Sequence, residues 1–271
     1  MERKVNEEVR QRFEEKGWVV IRECLPTEEV EWIRGEYRAM LPLFNRPTDD
    51  PEAMDWIQQD AVAFCLWHDH DSIARFAQSP YLAQIAAELL GKERLRLGHD
   101  EMLFKAPGDD EISWHQDAAM VPVDGSQLIA IFIPLIPIRE ADGFPVFVDG
   151  SHRGTLLGLE TGLLKPRRED LARIIADEGW EVSSTGPLEL GDVIFLHGNT
   201  LHGSHPNRTH KFREGCGLFF IADGARVEEP LADSQVIGLS QCLRGLKPGD
   251  LVAGRHHPVV YDASVQRAAN S

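Results

Sequence analysis

The sequence predicts a mainly β fold with flanking helices, in which a helical N-terminal part precedes an antiparallel sandwich or barrel. Apolar residues recur at helical spacing in the first third of the chain. After Gly91 the pattern changes to short apolar runs separated by Gly, Asp and Pro, at the spacing of an all-β domain. No linker or fixed-period repeat divides the 271 residues. We expect a single domain with a helical part over about 1–92, a core over about 93–225 and an extension over 226–271.

The N-terminal part is predicted as helix, strand, helix. Helical periodicity extends in two stretches from Glu7 to about Met40, and the apolar run 17–21 between them is typical of a short strand. Thr27 is a favourable N-cap for the second helix, because proline precedes it and two acidic residues follow in the first turn. Residues 42–71 are less regular and read either as a loop beside a site or as a solvated connection.

The rest of the chain is predicted to be mostly strands. A third helix fits residues 80–90, with Gly91 at its end, and a fourth fits 168–177. The predicted strands are 95–99, 102–105, 113–117, 127–138, 144–148, 186–188, 193–197 and 216–222.

Composition and charge exclude several classes of function. The chain has 28 Lys and Arg against 44 Asp and Glu, and its net charge of −16 repels phosphate backbones and anionic membrane surfaces. We therefore expect neither a nucleic acid nor a membrane as a partner. The four cysteines form no CxxC pair, which is typical of reduced, mostly buried thiols. We also expect no signal peptide or membrane anchor, and a cytoplasmic location.

A His-x-Asp pair is the first candidate for chemistry. Residues i and i+2 of an extended strand share a face, so His115 and Asp117 would project together as two metal ligands. The pair alone is a weak signal, because the same pattern arises by chance on surfaces. A metal site at this place needs a third ligand.

A histidine-rich segment follows a predicted buried strand and offers His197, His202 and His205 as that ligand. Two histidines and one carboxylate leave coordination positions open, as in non-haem Fe(II) enzymes that bind a co-substrate and O₂. Arg213 follows His202 by eleven residues, which lets the chain turn and bring a guanidinium back into the same pocket to bind a carboxylate. This spacing favours His202, and Ser204 would face the same side.

Together these residues resemble the phytanoyl-CoA dioxygenase (PhyH) family of Fe(II)- and 2-oxoglutarate-dependent oxygenases, over most of the chain. The segments that carry the resemblance are FEEKGWVVI (13–21), PTEEV (26–30), KAPG (105–108), WHQD (114–117), DG (142–143), GSHRG (150–154), GD (191–192), HGS (202–204), PN (206–207) and Arg213.

The resemblance implies a double-stranded β-helix, the cupin-like jelly roll, with Fe(II) on His115, Asp117 and His202. It further implies that Arg213, helped by Ser204, binds the distal carboxylate of 2-oxoglutarate, and that O₂ is the oxidant. The loop before residues 150–152 departs from the usual family pattern. Because an aspartate stands at 117 rather than glycine or alanine, the chain resembles a hydroxylating member and not a halogenase.

Other residues are weaker candidates. We interpret Lys105 and Phe132 either as ordinary strand residues or as residues that contact 2-oxoglutarate or the substrate. Trp67, His68 and His70 lie in the irregular region and read either as substrate contacts or as a solvated loop.

From the resemblance we expect hydroxylation of an unactivated C–H bond of a small molecule, with release of succinate and CO₂. Desaturation and ring formation remain open, as do the substrate and a monomeric or homodimeric state. Two other classes fit a jelly roll with these ligands: a zinc-dependent hydrolase, and a cupin-like binding protein without catalysis. Neither gives Arg213 a specific task.

Overall fold

The computed structural model describes residues 5–44, 61–154, 168–229 and 233–269. Its helices are α1 Glu7–Lys16, α2 Thr27–Phe44, α3 Asp71–Ala77, α4 Pro80–Leu90, α5 Arg168–Asp177, α6 Asp233–Cys242 and α7 Ala263–Ala269. Its strands are β1 Trp18–Ile21, β2 Ala61–Phe64, β3 Arg94–Lys105, β4 Ile112–His115, β5 Leu128–Pro134, β6 Pro145–Val148, β7 Val182–Ser184, β8 Val193–His197, β9 His202–Ser204, β10 Arg213–Ala222 and β11 Val259–Asp262.

The strands form two antiparallel sheets that line one cavity. The main sheet has the order β1-β8-β5-β10-β3-β11, and β2 pairs with β3 as well. The second sheet has the order β4-β9-β6-β7. β1 and β2 from the N-terminal part of the chain, and β11 from the C-terminal part, therefore hydrogen-bond into the main sheet.

The main sheet is buried on both faces, which is why β5 and β8 appear as continuous apolar runs in the sequence. In β8, Val193 and Phe195 pack with the N-terminal helices, whereas Ile194 and Leu196 belong to a second cluster on the cavity side. Burial of each large apolar side chain contributes about 1.5–3 kcal/mol to folding. The helices thus support the sheet from outside and leave its inner face to the cavity.

Local signals fix the ends of the early helices where the sequence predicts them. The Asn6 side chain accepts a hydrogen bond from the Val9 amide at 2.9 Å at the start of α1, and Gly17 ends it with a φ of +81°. Ser79 caps α4 in the same way, and Gly91 ends that helix with a φ of +67°. The predicted helix over 80–90 is confirmed.

Several predicted strands differ from the structure. The predicted strands 95–99 and 102–105 are one continuous strand, β3, because both halves pair with β10. The segment 186–188 is not a strand, and only an isolated bridge joins Leu188 to Ile138. The prediction of an irregular 42–71 segment missed β2, while residues 45–60 lie outside the described residues.

The cysteines and the helix lengths are two further features of the fold. All four cysteines are described, are buried and form no disulfide, as predicted for reduced thiols. Among the described residues, no helix is long and apolar enough to cross a membrane.

Candidate active site

A one-residue bulge in the second sheet brings two histidines side by side. β4 and β9 pair Ile112 with Ser204, but the register then shifts, so that His115 stands opposite His202. Without the shift, Trp114 would face His202. The two imidazole rings lie 4.2 Å apart between centroids. Bulges next to active sites commonly re-aim side chains in this way.

The backbone orients both imidazoles identically. His115 Nδ1 is 2.8 Å from the Ser113 carbonyl oxygen, and His202 Nδ1 is 2.9 Å from the Thr200 carbonyl oxygen. Since a carbonyl only accepts, each Nδ1 carries the proton and each Nε2 keeps its lone pair. This carbonyl contact is the usual arrangement that fixes a metal-binding histidine.

Asp117 lies just beyond the strand and not on it, which corrects the prediction of a strand over 113–117. It begins a 3-10 turn, Asp117–Ala119, and its own carbonyl oxygen accepts from both the Met120 and Val121 amides. The turn, rather than strand alternation, directs the carboxylate towards the histidines. Its Oδ1 atom is 3.7 Å from His202 Nε2, and its Oδ2 atom is buried with no hydrogen-bond partner among the described residues.

The ligand atoms of these three residues all lie within 4.8 Å of one another. Burial lowers the pKa of His115 to about 4, with a further lowering from His202, and burial lowers the pKa of His202 to about 4. Both rings are therefore neutral at pH 7, as metal ligation requires. Burial raises the pKa of Asp117 to about 7, because the nearby His115 and His99 offset only part of the cost of burying its charge. A divalent cation would offset the rest, so the residues fit a metal.

The three residues open into a cavity of about 260 Å³ between the sheets. Most of its wall is apolar, and its polar side chains come from the metal-binding set, from Ser204 on β9, from Glu101 within β3 and from Arg213 at the start of β10. Its wall includes Phe64, Glu101, Phe132, Ser204, Arg213 and Phe219.

The cationic end of the cavity is formed where β10 and β3 pair Arg213 with Lys105. Arg213 is only 3% exposed, and its Nη1 atom donates to the Gly143 carbonyl at 2.9 Å. Lys105 Nζ donates to Ser204 Oγ at 3.3 Å and to the His205 carbonyl at 2.9 Å. Lys105 therefore positions Ser204, and Arg213 and Ser204 line the cavity.

Phe132 lines the cavity because β10 has a glycine beside it. A Cβ placed on Gly215 would lie 2.5 Å from the Phe132 ring, so only glycine lets the ring lie flat against the strand. The Arg213 guanidinium carbon lies 5.9 Å from the Phe132 ring centroid. The ring thus lines the cavity next to its cationic end.

The structure places the Trp67, His68 and His70 candidates outside the residues that line this cavity. The Trp67 amide donates to Asp100 Oδ1 at 3.1 Å, and the His68 ring stacks on His256 at 4.7 Å. His70 immediately precedes α3. From this region it is Phe64 on β2 that lines the cavity.

The other two histidine candidates lie elsewhere. The His197 ring is 5.3 Å from the His152 ring, and His197 Nδ1 accepts from the Asn199 amide. His205 is exposed. Of the three histidines that the spacing offered, the structure brings His202 to His115 and Asp117.

Sequence reasoning missed one charged residue of the cavity, Glu101. Alternation along β3 from Lys105 through Leu103 predicts its direction, since residues two apart share a face. The predicted strands 95–99 and 102–105 left Glu101 between them, so this alternation was not applied to it.

The chain is similar in sequence to known dioxygenases. The sequence profile of the phytanoyl-CoA dioxygenase (PhyH) family matches residues 13–215. A probable phytanoyl-CoA dioxygenase of Caenorhabditis elegans is 25% identical over 241 residues, which cover 80% of this chain and 75% of that protein. An ectoine dioxygenase of Stutzerimonas stutzeri strain A1501 is 26% identical over 239 residues, covering 79% and 75%.

Among solved structures, the chain is similar to the epimerase SnoN in complex with Fe³⁺, alpha ketoglutarate and nogalamycin RO. The TM-score is 0.75 at 21% identity, over 94% of this chain and 98% of that one. This likeness concerns the fold, and it confirms the predicted double-stranded β-helix.

Proposed function

The chain belongs to the phytanoyl-CoA dioxygenase (PhyH) family, and from this premise we propose that it is an Fe(II)- and 2-oxoglutarate-dependent dioxygenase that hydroxylates an unactivated C–H bond of a small molecule. The observation that carries the proposal is the convergence of His115, Asp117 and His202 in the same cavity as buried Arg213. A zinc hydrolase site gives Arg213 no specific task, whereas a buried guanidinium suits a dicarboxylate co-substrate.

His115, Asp117 and His202 would hold the iron. Bound there, Fe(II) would supply the oxidising chemistry by which 2-oxoglutarate, O₂ and a substrate C–H bond are converted to succinate, CO₂ and the hydroxylated substrate. The protein's own contribution begins with the ligands. The Ser113 and Thr200 carbonyls hold both Nδ1 protons, so the two Nε2 atoms stay available as neutral donors of electron pairs.

Arg213 binds the distal carboxylate of 2-oxoglutarate in this proposal. Its guanidinium is held in place by the Gly143 carbonyl, and Lys105 keeps Ser204 beside it. Charge-assisted hydrogen bonds from a planar guanidinium fix both the position and the direction of a carboxylate. The apolar wall around Phe132 excludes water from the reacting end of the cavity.

The proposal is tested by anaerobic titration of metal-free protein with Fe(II) and then 2-oxoglutarate, following the weak visible metal-to-ligand charge-transfer band. We expect a band in the wild type and none in His202→Ala, together with succinate formation in air that His202→Ala lacks. Zinc in the protein as isolated, with no band after Fe(II) loading, would instead favour a hydrolytic or purely binding role. Undiminished succinate formation by His202→Ala would overturn the ligand assignment.

The outcome at the substrate is tested by mass spectrometry of products from a screen of small molecules, read out by succinate. Hydroxylation adds one oxygen atom, whereas desaturation or ring closure removes two hydrogen atoms. An epimer of unchanged mass would show the outcome named for SnoN. We expect the added oxygen.

A further inference from the structure

The cavity contains a second carboxylate besides Asp117, and it lies on the main sheet. Glu101 is on β3 directly opposite Gly217 of β10, and its side chain is 12% exposed. Its Oε2 atom lies 3.4 Å from where a Cβ of Gly217 would stand. Because residue 217 has no side chain, the carboxylate lies against β10 and still faces the cavity.

A buried histidine holds one oxygen of this carboxylate. His99 is 1% exposed, and its Nε2 atom is 3.1 Å from Glu101 Oε1. Its ring stacks on Phe219 at 4.1 Å with an interplanar angle of 11°. Burial acts to lower the pKa of His99, but the hydrogen bond and charge of Glu101 outweigh it, and the net pKa is raised. His99 therefore acts as a donor, and it fixes the direction of Glu101.

The second oxygen of Glu101 has no donor among the described residues. The neighbouring Asp100 does not share this role, because its oxygens accept from Tyr37 Oη and the Trp67 amide on the other face of the strand. Leaving a carboxylate oxygen without a hydrogen bond in a largely apolar cavity is costly. A hydrogen-bond donor of a ligand in the cavity can satisfy this oxygen.

The position of Glu101 separates it from the co-substrate end. Lys105 and Arg213 pair at one end of β3 and β10, and Glu101 is four residues further along, about 13 Å at 3.3 Å per residue. It is nevertheless close enough to the metal-binding set for its charge to raise the pKa of Asp117. The cavity thus has a cationic end that suits a dicarboxylate, and it has the Glu101 carboxylate near the three metal-binding residues.

We propose that Glu101 is a substrate-recognition residue, whose second oxygen accepts a hydrogen bond from an amine or hydroxyl group of the substrate. The apolar part of the same substrate packs against Phe64 and Phe219. This inference rests on the proposed function, since it assigns the substrate class of the same cavity. A carboxylate or phosphate group at this point would face Glu101 and is disfavoured by like charge. His99 is the positioning residue for Glu101.

The test uses a panel of aromatic and aliphatic compounds matched in size, in which each apolar skeleton carries in turn an amine, a hydroxyl or a carboxylate group. One set consists of 2-phenylethylamine, 2-phenylethanol and 3-phenylpropionate. Binding to the anaerobic Fe(II) and 2-oxoglutarate form is measured by calorimetry. We expect the wild type to prefer amine and hydroxyl members over carboxylates by about tenfold or more, equivalent to about 1.4 kcal/mol.

Two variants and a control separate recognition from folding. Glu101→Gln removes the charge and keeps an acceptor, so the amine members lose about tenfold in affinity while the hydroxyl members lose less. Glu101→Lys reverses the ranking in favour of carboxylates. Glu31→Gln, at an exposed position of α2, is the matched control and keeps the wild-type ranking. Thermal melting of each variant verifies that it is folded.

Each outcome decides the proposal. A wild-type panel without preference between the classes, a preference for carboxylates, or an unchanged ranking in Glu101→Lys overturns it. Failure of the proposed function is seen separately, as a missing charge-transfer band in the wild type before any panel compound is added. In that case the panel is measured on the metal-free protein by tryptophan fluorescence.

Discussion

His115 and His202 face each other across β4 and β9 only because the register of that pair shifts by one residue. The shift occurs between Ile112 and His115, and it replaces Trp114 by His115 opposite His202. Since strand side chains alternate, a one-residue change reverses which face a residue points to. The metal-binding arrangement therefore depends on the bulge as much as on the identity of its ligands.

Gly203 is the residue that permits this close approach. A Cβ on Gly203 would lie 2.6 Å from the Ile112 carbonyl oxygen, which is backbone and cannot rotate away. We expect Gly203→Ala to shift β4 away from β9 and weaken Fe(II) affinity by about tenfold or more, with a loss of stability of about 1–3 kcal/mol. Metal titration and urea unfolding measure the two effects.

Gly35→Ala serves as the control for that variant, because no atom lies within 4 Å of the added Cβ in α2. Alanine favours a helix over glycine, so Gly35→Ala is expected to raise stability by up to about 1 kcal/mol and leave metal affinity unchanged. Wild-type metal affinity in Gly203→Ala would contradict the role of the bulge.

Arg213→Ala is expected to raise KM for 2-oxoglutarate by about 30- to 100-fold. The reason is the loss of a buried, charge-assisted pair, which typically costs about 2–3 kcal/mol or more. Arg213→Lys recovers part of the loss, because a lysine keeps the charge but not the planar pair of donors. Initial rates of succinate formation at varied co-substrate concentration give both values.

The exposed Arg208 provides the matched control in the same region of sequence. Arg208→Ala should leave KM for 2-oxoglutarate at the wild-type value. Equal effects of the two alanine variants would indicate general electrostatic attraction instead of a defined carboxylate site.

Metal affinity should depend on pH through Asp117. Burial raises the pKa of that carboxyl to about 7 in the metal-free protein, so below pH 7 the metal must displace a proton. Affinity should fall about tenfold per pH unit below about 7 and level off above it. His115 and His202, with pKa values of about 4, add no further dependence near neutrality.

Anaerobic Fe(II) titrations between about pH 5.5 and 8.5 measure this dependence, with Mn²⁺ as a second probe ion. Release of about one proton on binding at pH 6, detected with an indicator, is the companion observation. A flat affinity profile across pH 7 would show that Asp117 is already ionised before the metal binds.

Glu214 should anchor α2 to the main sheet through two arginines. Its carboxylate is buried on β10, and it accepts from Arg34 Nε at 2.6 Å and from Arg38 Nη1 at 2.5 Å. Either single variant, Arg34→Ala or Arg38→Ala, should cost about 1 kcal/mol, because the other arginine still pairs with the carboxylate. The double variant leaves a buried carboxylate unpaired and should cost about 3 kcal/mol or more.

Urea unfolding of the two single variants and the double variant gives the coupling directly. A double-variant loss equal to the sum of the single losses would mean that the arginines act independently. Glu214→Gln, which removes the charge and keeps the shape, should lose less stability than the double variant.

The sequence by itself determined many of the elements and much of the chemistry. Local caps at Asn6 and Ser79 fix helix starts, and the apolar run of β8 is recognisable because both of its faces are buried. The His-x-Asp pair, the later histidines and Arg213 are all visible as residue types at defined spacings. These properties depend on neighbours in the chain, which is why they can be read from it.

Only the tertiary structure decided how those residues meet. The bulge that aligns His115 with His202, the turn that directs Asp117, and the continuity of β3 that points Glu101 into the cavity all depend on pairing between distant strands. Such pairing is set by long-range packing and by space left at positions such as Gly203 and Gly217. Alternation within one strand gives a direction for a side chain, but the register with its neighbour decides which cavity that side chain enters.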